Sequence, residues 1–213
     1  MSFLTAEKRR EQRRADARRT ILDAAEALLA EGGYDGFSIR RLADRCGYTA
    51  PTIYHHFGDK VGLLDALLEE RFRDMQRLIR RVPLSRDPLE TIRARARSFV
   101  RFALRNPTHY RILTTARDPS LPPVEAAEEA RALLEQPWRQ LIDQGRLGAA
   151  HLDLAQQSVF ALIHGIISLH ASRPDLEWSP LLVEESVDAL LRGWTDPAGA
   201  QRPEPAARKR GTA

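Results

Sequence analysis

The sequence predicts an all-α fold in two parts, and three observations carry that expectation. Apolar residues recur at three- and four-residue spacing in nearly every segment, no convincing alternation of period two runs to strand length, and the breaks between segments fall at Gly or Pro. The chain has 213 residues, 43% of them hydrophobic and 29% charged, which is the balance of a soluble globular protein with room for one or two small cores.

The elements follow in order. Lys8, Arg9, Arg10, Arg13, Arg14, Arg18 and Arg19 crowd the N-terminus against only Glu11 and Asp16 in the same interval, so residues 1–15 are expected to form a basic, partly disordered arm. Ile21, Leu22, Ala25, Leu28 and Leu29 then set a first helix from about Asp16 to Glu31, stopped by Gly32 and Gly33. Ser38 is a good N-cap for a second helix that puts Ile39, Leu42, Ala43 and Cys46 on one face and ends at Gly47. Thr49 caps a third, Pro51 is tolerated in its first turn, and Phe57-Gly58 closes it after about two turns. Asp59 caps a long amphipathic helix through Leu63, Leu64, Leu67, Leu68 and Phe72 toward Arg81.

Pro83 and Pro88 break that helix. Further helical stretches are expected around 89–105, 107–115, 124–146, 152–172 and 180–194, with Pro137 kinking or dividing the third of them. The tail, 196–213, is rich in Pro and Ala and is expected to be disordered.

Composition narrows the function. No run approaches the ~18 apolar residues of a membrane span and the N-terminus lacks the apolar stretch of a secretory signal, so a cytoplasmic protein with no membrane partner is expected. The single cysteine, Cys46, excludes an internal disulfide and any thiolate cluster, and on its apolar face it reads as a small buried hydrophobe. His55 and His56 diverge by about 100° on a helix, and His164 and His170 also point to different faces, so no metal or other cofactor is expected. No nucleophile with a base at workable spacing is visible, which speaks against an enzyme.

Two short helices joined by a Gly-containing turn can cross steeply, one bracing on the DNA backbone while the other lies in the major groove. Short polar side chains on the second helix let its backbone approach the bases, and the arginines of the first and of the arm meet the phosphate charge. Ile53 and Phe57, four apart, share a core face and leave Thr52 and His55 on another.

The stretch "GGYDGFSIRRLADRCGYTAPTIYHHFGDKVGLLDALL" resembles the DNA-binding domain of the TetR family of bacterial transcriptional regulators. The matching features are the Gly-Tyr-x-Gly-Phe-Ser lead-in to the second helix, Leu42-Ala43, Gly47 in the turn, Thr52 to Tyr54, Phe57, and Lys60 with Leu63-Leu64, over roughly Thr20 to Leu68. "FVRFALRNPTHYRIL" and "FALIHGIISLH" resemble the regulatory domain of a subgroup whose members dimerise through their last two helices. The fold so implied is an N-terminal three-helix DNA-binding domain with a helix-turn-helix over 16–65, followed by an α-helical ligand-binding and dimerisation domain over 66–195.

The resemblance also implies roles. Arg40 would reach a base edge or a phosphate. Ala50, Pro51, Thr52 and His55 would face the groove, and Thr49, Tyr54, His56 and Lys60 would mostly hold phosphates. Phe72, Met75, Phe99, Phe102, Tyr110, Trp138, Leu141, Phe160 and His164 are the candidate walls of a small-molecule pocket, although aromatics at these spacings are more often plain core. Ile163, Gly165, Ile166, Leu169, Val187, Leu190, Leu191 and Trp194 are the candidate homodimer interface. The expected partners are a double-stranded operator, a small-molecule effector and a second copy of the chain. The expected function is a sequence-specific transcriptional regulator, a repressor released by its effector. An architectural, non-sequence-specific DNA binder is the alternative, and an all-α enzyme a weaker one.

Overall fold

A computed structural model describes residues 6–33, 36–114 and 123–196. The elements are α1 (Ala6–Gly32), α2 (Ile39–Cys46), α3 (Ala50–Phe57), α4 (Lys60–Arg80), α5 (Pro88–Arg105), α6 (Pro107–Thr114), α7 (Glu125–Asp143), a 3-10 turn (Ala149–His151), α8 (Leu152–Ser172) and α9 (Leu182–Thr195). No strand forms among the described residues, so the fold is all-α. Residues 197–213 of the tail expected to be disordered and the first five residues of the arm lie outside them.

The chain packs as two compact units, Met1–Asp74 with Asn106–Glu128, and Met75–Arg105 with Glu129–Ala213. In the first, Ile21, Leu22, Ala25 and Leu28 of α1, Leu42 of α2, Ile53 and Phe57 of α3, Leu63 and Leu67 of α4 and Ile112 of α6 make one apolar core. The helix α6 lies beyond residue 66 in sequence, yet it packs with α1. Arg111 donates from Nη1 to the Ala30 carbonyl at 2.8 Å and from Nη2 to the Leu29 carbonyl at 3.2 Å. The last turn of α1 has no basic residue of its own, so Arg111 supplies the positive charge that a helix C-terminus favours, with a second donor to the Leu29 carbonyl, which also accepts from the Gly33 N–H at 3.0 Å.

The arm differs from its expectation. Ala6–Asp16 is exposed throughout and helical, continuous with the buried part that starts at Ala17. Its Ala, Arg, Gln, Glu and Lys are strong helix formers, and Gln12 to Asp16 at 2.9 Å and Arg13 to the Arg9 carbonyl at 3.2 Å add local bonds.

In the second unit Leu89, Ile92 and Ala96 of α5, Trp138 and Leu141 of α7, Ala155 and Val159 of α8, and Val187 and Leu191 of α9 form the core. Arg93 Nε donates to Asp188 at 2.8 Å and Arg97 pairs with Glu184 at 2.8 Å, tying α5 to α9. Pro137 does not divide α7. Proline has no N–H to offer the carbonyl four residues back, which is that of Leu133. Arg95 of α5 donates from Nη1 to that carbonyl at 2.5 Å.

Candidate nucleic-acid interface

Local chemistry fixes the helix-turn-helix. Ser38 Oγ accepts from the Arg41 N–H at 3.3 Å and closes the start of α2. Gly47 ends it with φ of 73°, a left-handed turn that costs other residues more, and its N–H returns to the Ala43 carbonyl at 3.0 Å. Thr49 Oγ1 caps α3 by accepting from the Thr52 N–H at 3.4 Å. At the other end the start of α4 approaches so closely that a Cβ on Gly62 would lie 2.1 Å from the Phe57 carbonyl oxygen, and Asp59 Oδ1 accepts from the Gly62 N–H at 2.8 Å. The short α3 is thus clamped at both termini.

Its two faces are distinct. Ile53 is fully buried and Phe57 nearly so, whereas Pro51, Tyr54 and His55 are exposed together on the opposite side. Tyr54, expected among the phosphate contacts, therefore stands on the outermost face with the residues expected to meet the bases. Ala50, Thr52 and His56 are half-buried at the flanks, and the Thr52 hydroxyl lies 2.9 Å from that of Thr49. Among the cations of α2, Arg41 is held by the Gly36 carbonyl at 2.6 Å and Arg45 by Glu31 at 2.7 Å, while Arg40 is exposed. Lys60 is half-buried and its Nζ donates to the Phe37 carbonyl at 3.1 Å, so it bridges the start of α4 to the lead-in of α2.

Two arginines that the sequence placed only in the general basic run take defined positions here. The Arg18 guanidinium lies 4.9 Å over the Phe57 ring, and the charges of His55, Arg14 and Arg18, after burial itself, push the His56 imidazole below its ordinary value. Arg14 and Arg18 of α1 therefore border the C-terminal end of α3. The i, i+4 spacing of Arg10, Arg14 and Arg18 was the available signal.

The candidate pocket residues divide. Phe72 and Tyr110 belong to the first unit, where burial pushes the Tyr110 phenol up. The others belong to the second: Met75, Trp138 and Leu141 are buried there, and Phe102 is half-buried. Phe99 and Phe160 bring their rings to 5.7 and 3.9 Å from that of His164, whose basicity burial lowers. The candidate dimer residues divide too. Ile166, Val187 and Leu191 are buried within the chain itself, Val187 and Leu191 in the core that α9 shares with α5 and α8. Ile163, Leu190 and Trp194 are half-buried, Leu169 is exposed, and a Cβ on Gly165 would meet nothing within 4 Å. The exposed apolar surface here is Leu154, Phe160, Leu169 and Leu181.

Comparison with known proteins gives matches over both units. Residues 21–67 match the family described as bacterial regulatory proteins, tetR family, and residues 92–193 match the tetracyclin repressor-like C-terminal domain. The HTH-type transcriptional repressor AcnR of Corynebacterium glutamicum is 44% identical over 55 residues, 26% of this chain and 29% of that protein. The HTH-type transcriptional repressor KstR of Rhodococcus jostii is 32% identical over 101 residues, 47% of each. The matched stretch thus spans under half the length of these curated relatives. A solved structure of a protein of unknown function from Rhodococcus sp. RHA1 superposes with a TM-score of 0.68 and 27% identity, over 84% of this chain and 95% of that one.

Proposed function

The chain belongs to the TetR family of bacterial regulatory proteins, and on that premise we propose that it is a sequence-specific, DNA-binding transcriptional repressor acting in the cytoplasm as a homodimer. The observation that carries this reading is the exposed Pro51, Tyr54 and His55 face on a helix capped at both ends and backed by buried Ile53. A rigid face of small and planar polar groups suits the major groove, and Arg40 with the basic stripe of α1 suits the flanking phosphates. Family members named as repressors support the sign of regulation.

The homodimer rests on α8, which buries Ala155, Val159, Ile166 and Ile167 within the chain but leaves Leu154, Phe160 and Leu169 exposed. By length and composition alone such a helix can cross a membrane, but α8 packs against α5 and α9 inside a helical bundle, and a second copy is the economical cover for the rest. Twofold symmetry makes the operator near-palindromic. A small molecule taken up by the second unit releases DNA through α4, a single unbroken helix over Lys60–Arg80.

Binding-site selection from random duplexes, followed by titration at fixed salt, tests the central claim. One enriched near-palindrome, bound at least about a thousandfold tighter than random duplex, is the expected result. Equal affinity for all duplexes would instead favour an architectural binder, a reading to which the exposed basic turns of α1 lend some weight.

A further inference from the structure

Among the described residues, the second unit holds one buried cation with no anion beside it. Arg95 is 7% exposed, on the flank of α5 between the fully buried Thr91 and the half-buried Phe99, each four residues away. The guanidinium makes one hydrogen bond among the described residues, from Nη1 to the Leu133 carbonyl that Pro137 leaves unused. Its Nε is buried and has no partner. Burial lowers its pKa, and no carboxylate among the described residues offsets that. Other inward arginines differ: Arg71 faces Glu26, Glu70 and Asp74, and Arg93 faces Glu90 and Asp188.

Satisfying one carbonyl does not need a full charge, since a glutamine amide or a serine hydroxyl would do it without the cost of burying a cation. The side edge of the guanidinium, Nε with Nη2, presents two parallel donors of the spacing that two carboxylate oxygens accept. Next to it on the same face of α5 is Phe99, whose ring lies 5.7 Å from that of His164.

We propose that Arg95 is the anchor of a ligand site in the second unit, and that its ligand is a small monocarboxylate with an aromatic or aliphatic body. One negative charge balances one guanidinium, whereas a phosphate dianion would leave a net charge buried. Phe99 supplies an apolar wall for the body, and the ring of His164 lies beside it. The proposal rests on the reading of the second unit as ligand-responsive and names the class of ligand.

The test compares sodium benzoate, phenylacetate and octanoate with benzamide, phenylacetamide and octanamide, at matched ionic strength, by calorimetric titration and by thermal melting. The intact protein should bind the carboxylates at least tenfold tighter than the matched amides. Arg95→Gln, which can still donate to Leu133, should abolish that preference, and Arg95→Lys should restore part of it. Equal binding of acid and amide by the intact protein overturns the proposal, as does a carboxylate preference that survives in Arg95→Gln. Should Arg95→Gln fail to fold, the acid and amide comparison on the intact protein still decides. Carboxylate binding that leaves operator affinity unchanged would keep this site and overturn effector release. Release by the amides and not by the acids would keep effector release and overturn this site.

Discussion

Single residues here do two things at once, and their substitution should read out in two ways. Lys60 would hold a phosphate in the resemblance, but its amine also donates to the Phe37 carbonyl. Lys60→Ala should weaken all duplexes alike and also lower stability by about 0.5–1.5 kcal/mol, the usual worth of such a bond. Titration and denaturant melts of the same variant check both arms, and unchanged affinity on every duplex at fixed salt would remove Lys60 from the interface. His56 gives a pH dependence. Burial, then His55, Arg14 and Arg18, hold its pKa below the ordinary value in the free protein, and neighbouring phosphates would raise it in the complex. Binding then takes up protons, so operator affinity should rise as pH falls through the histidine range, and His56→Gln should flatten the slope. The sign for folding is opposite: with the folded pKa depressed, His56 contributes stability above its unfolded pKa that is lost as pH falls through the folded one. Arg95 shows why residue roles were only half legible in the sequence. Its spacing on α5 says which face it occupies, but nothing local says that no acid waits opposite.

At the scale of elements, what is written locally was readable. Ser38, Gly47, Thr49 and Gly58 cap α2 and α3 from within a few residues, and both helices begin and end where those caps stand. Two things were not readable in the same way. The N-terminal turns of α1 have no buried face, so only summed propensity distinguishes a helix from a disordered arm there. The docking of α6 depends on Arg111 meeting carbonyls some eighty residues earlier, which no window of sequence displays. Arg111→Ala should therefore destabilise the first unit by about 1–3 kcal/mol, since it removes two charge-assisted bonds to the end of α1, of whose acceptors the Leu29 carbonyl keeps the Gly33 N–H. Gly62→Ala should be at least as damaging, because the added Cβ meets the backbone oxygen of Phe57 at 2.1 Å and neither helix end can yield freely. Chemical denaturation of the two variants against the parent checks both.

For the whole molecule the decisive quantity is the surface left over after folding. Much of the face that periodicity offers for a dimer is spent or partly spent on the chain's own core, because an apolar stripe marks a helix as buried without saying which neighbour each face will meet. What remains is Leu154, Phe160, Leu169 and Leu181 with open space over Gly165. Sedimentation at micromolar concentration should find dimer, and Gly165→Leu should shift it toward monomer by filling that space; association untouched by the change would place the interface elsewhere. Removing Met1–Asp16 should leave base preference intact while flattening the salt dependence, by about 0.9 in the logarithmic slope for each phosphate that the shortened protein no longer neutralises.

The continuous α1 also carries a boundary that amide hydrogen exchange can locate. From Ala6 to Asp16 the helix is exposed throughout, with no buried face to oppose its opening, so those amides should exchange at close to the rate of an isolated peptide helix, whereas protection should climb steeply from Ile21, within the same unbroken hydrogen-bond ladder. A duplex longer than the helix-turn-helix footprint should slow exchange in the first three turns, and a duplex trimmed to that footprint should not. The N-terminus would then act as a gauge of how much flanking DNA the molecule engages, read one peptide group at a time.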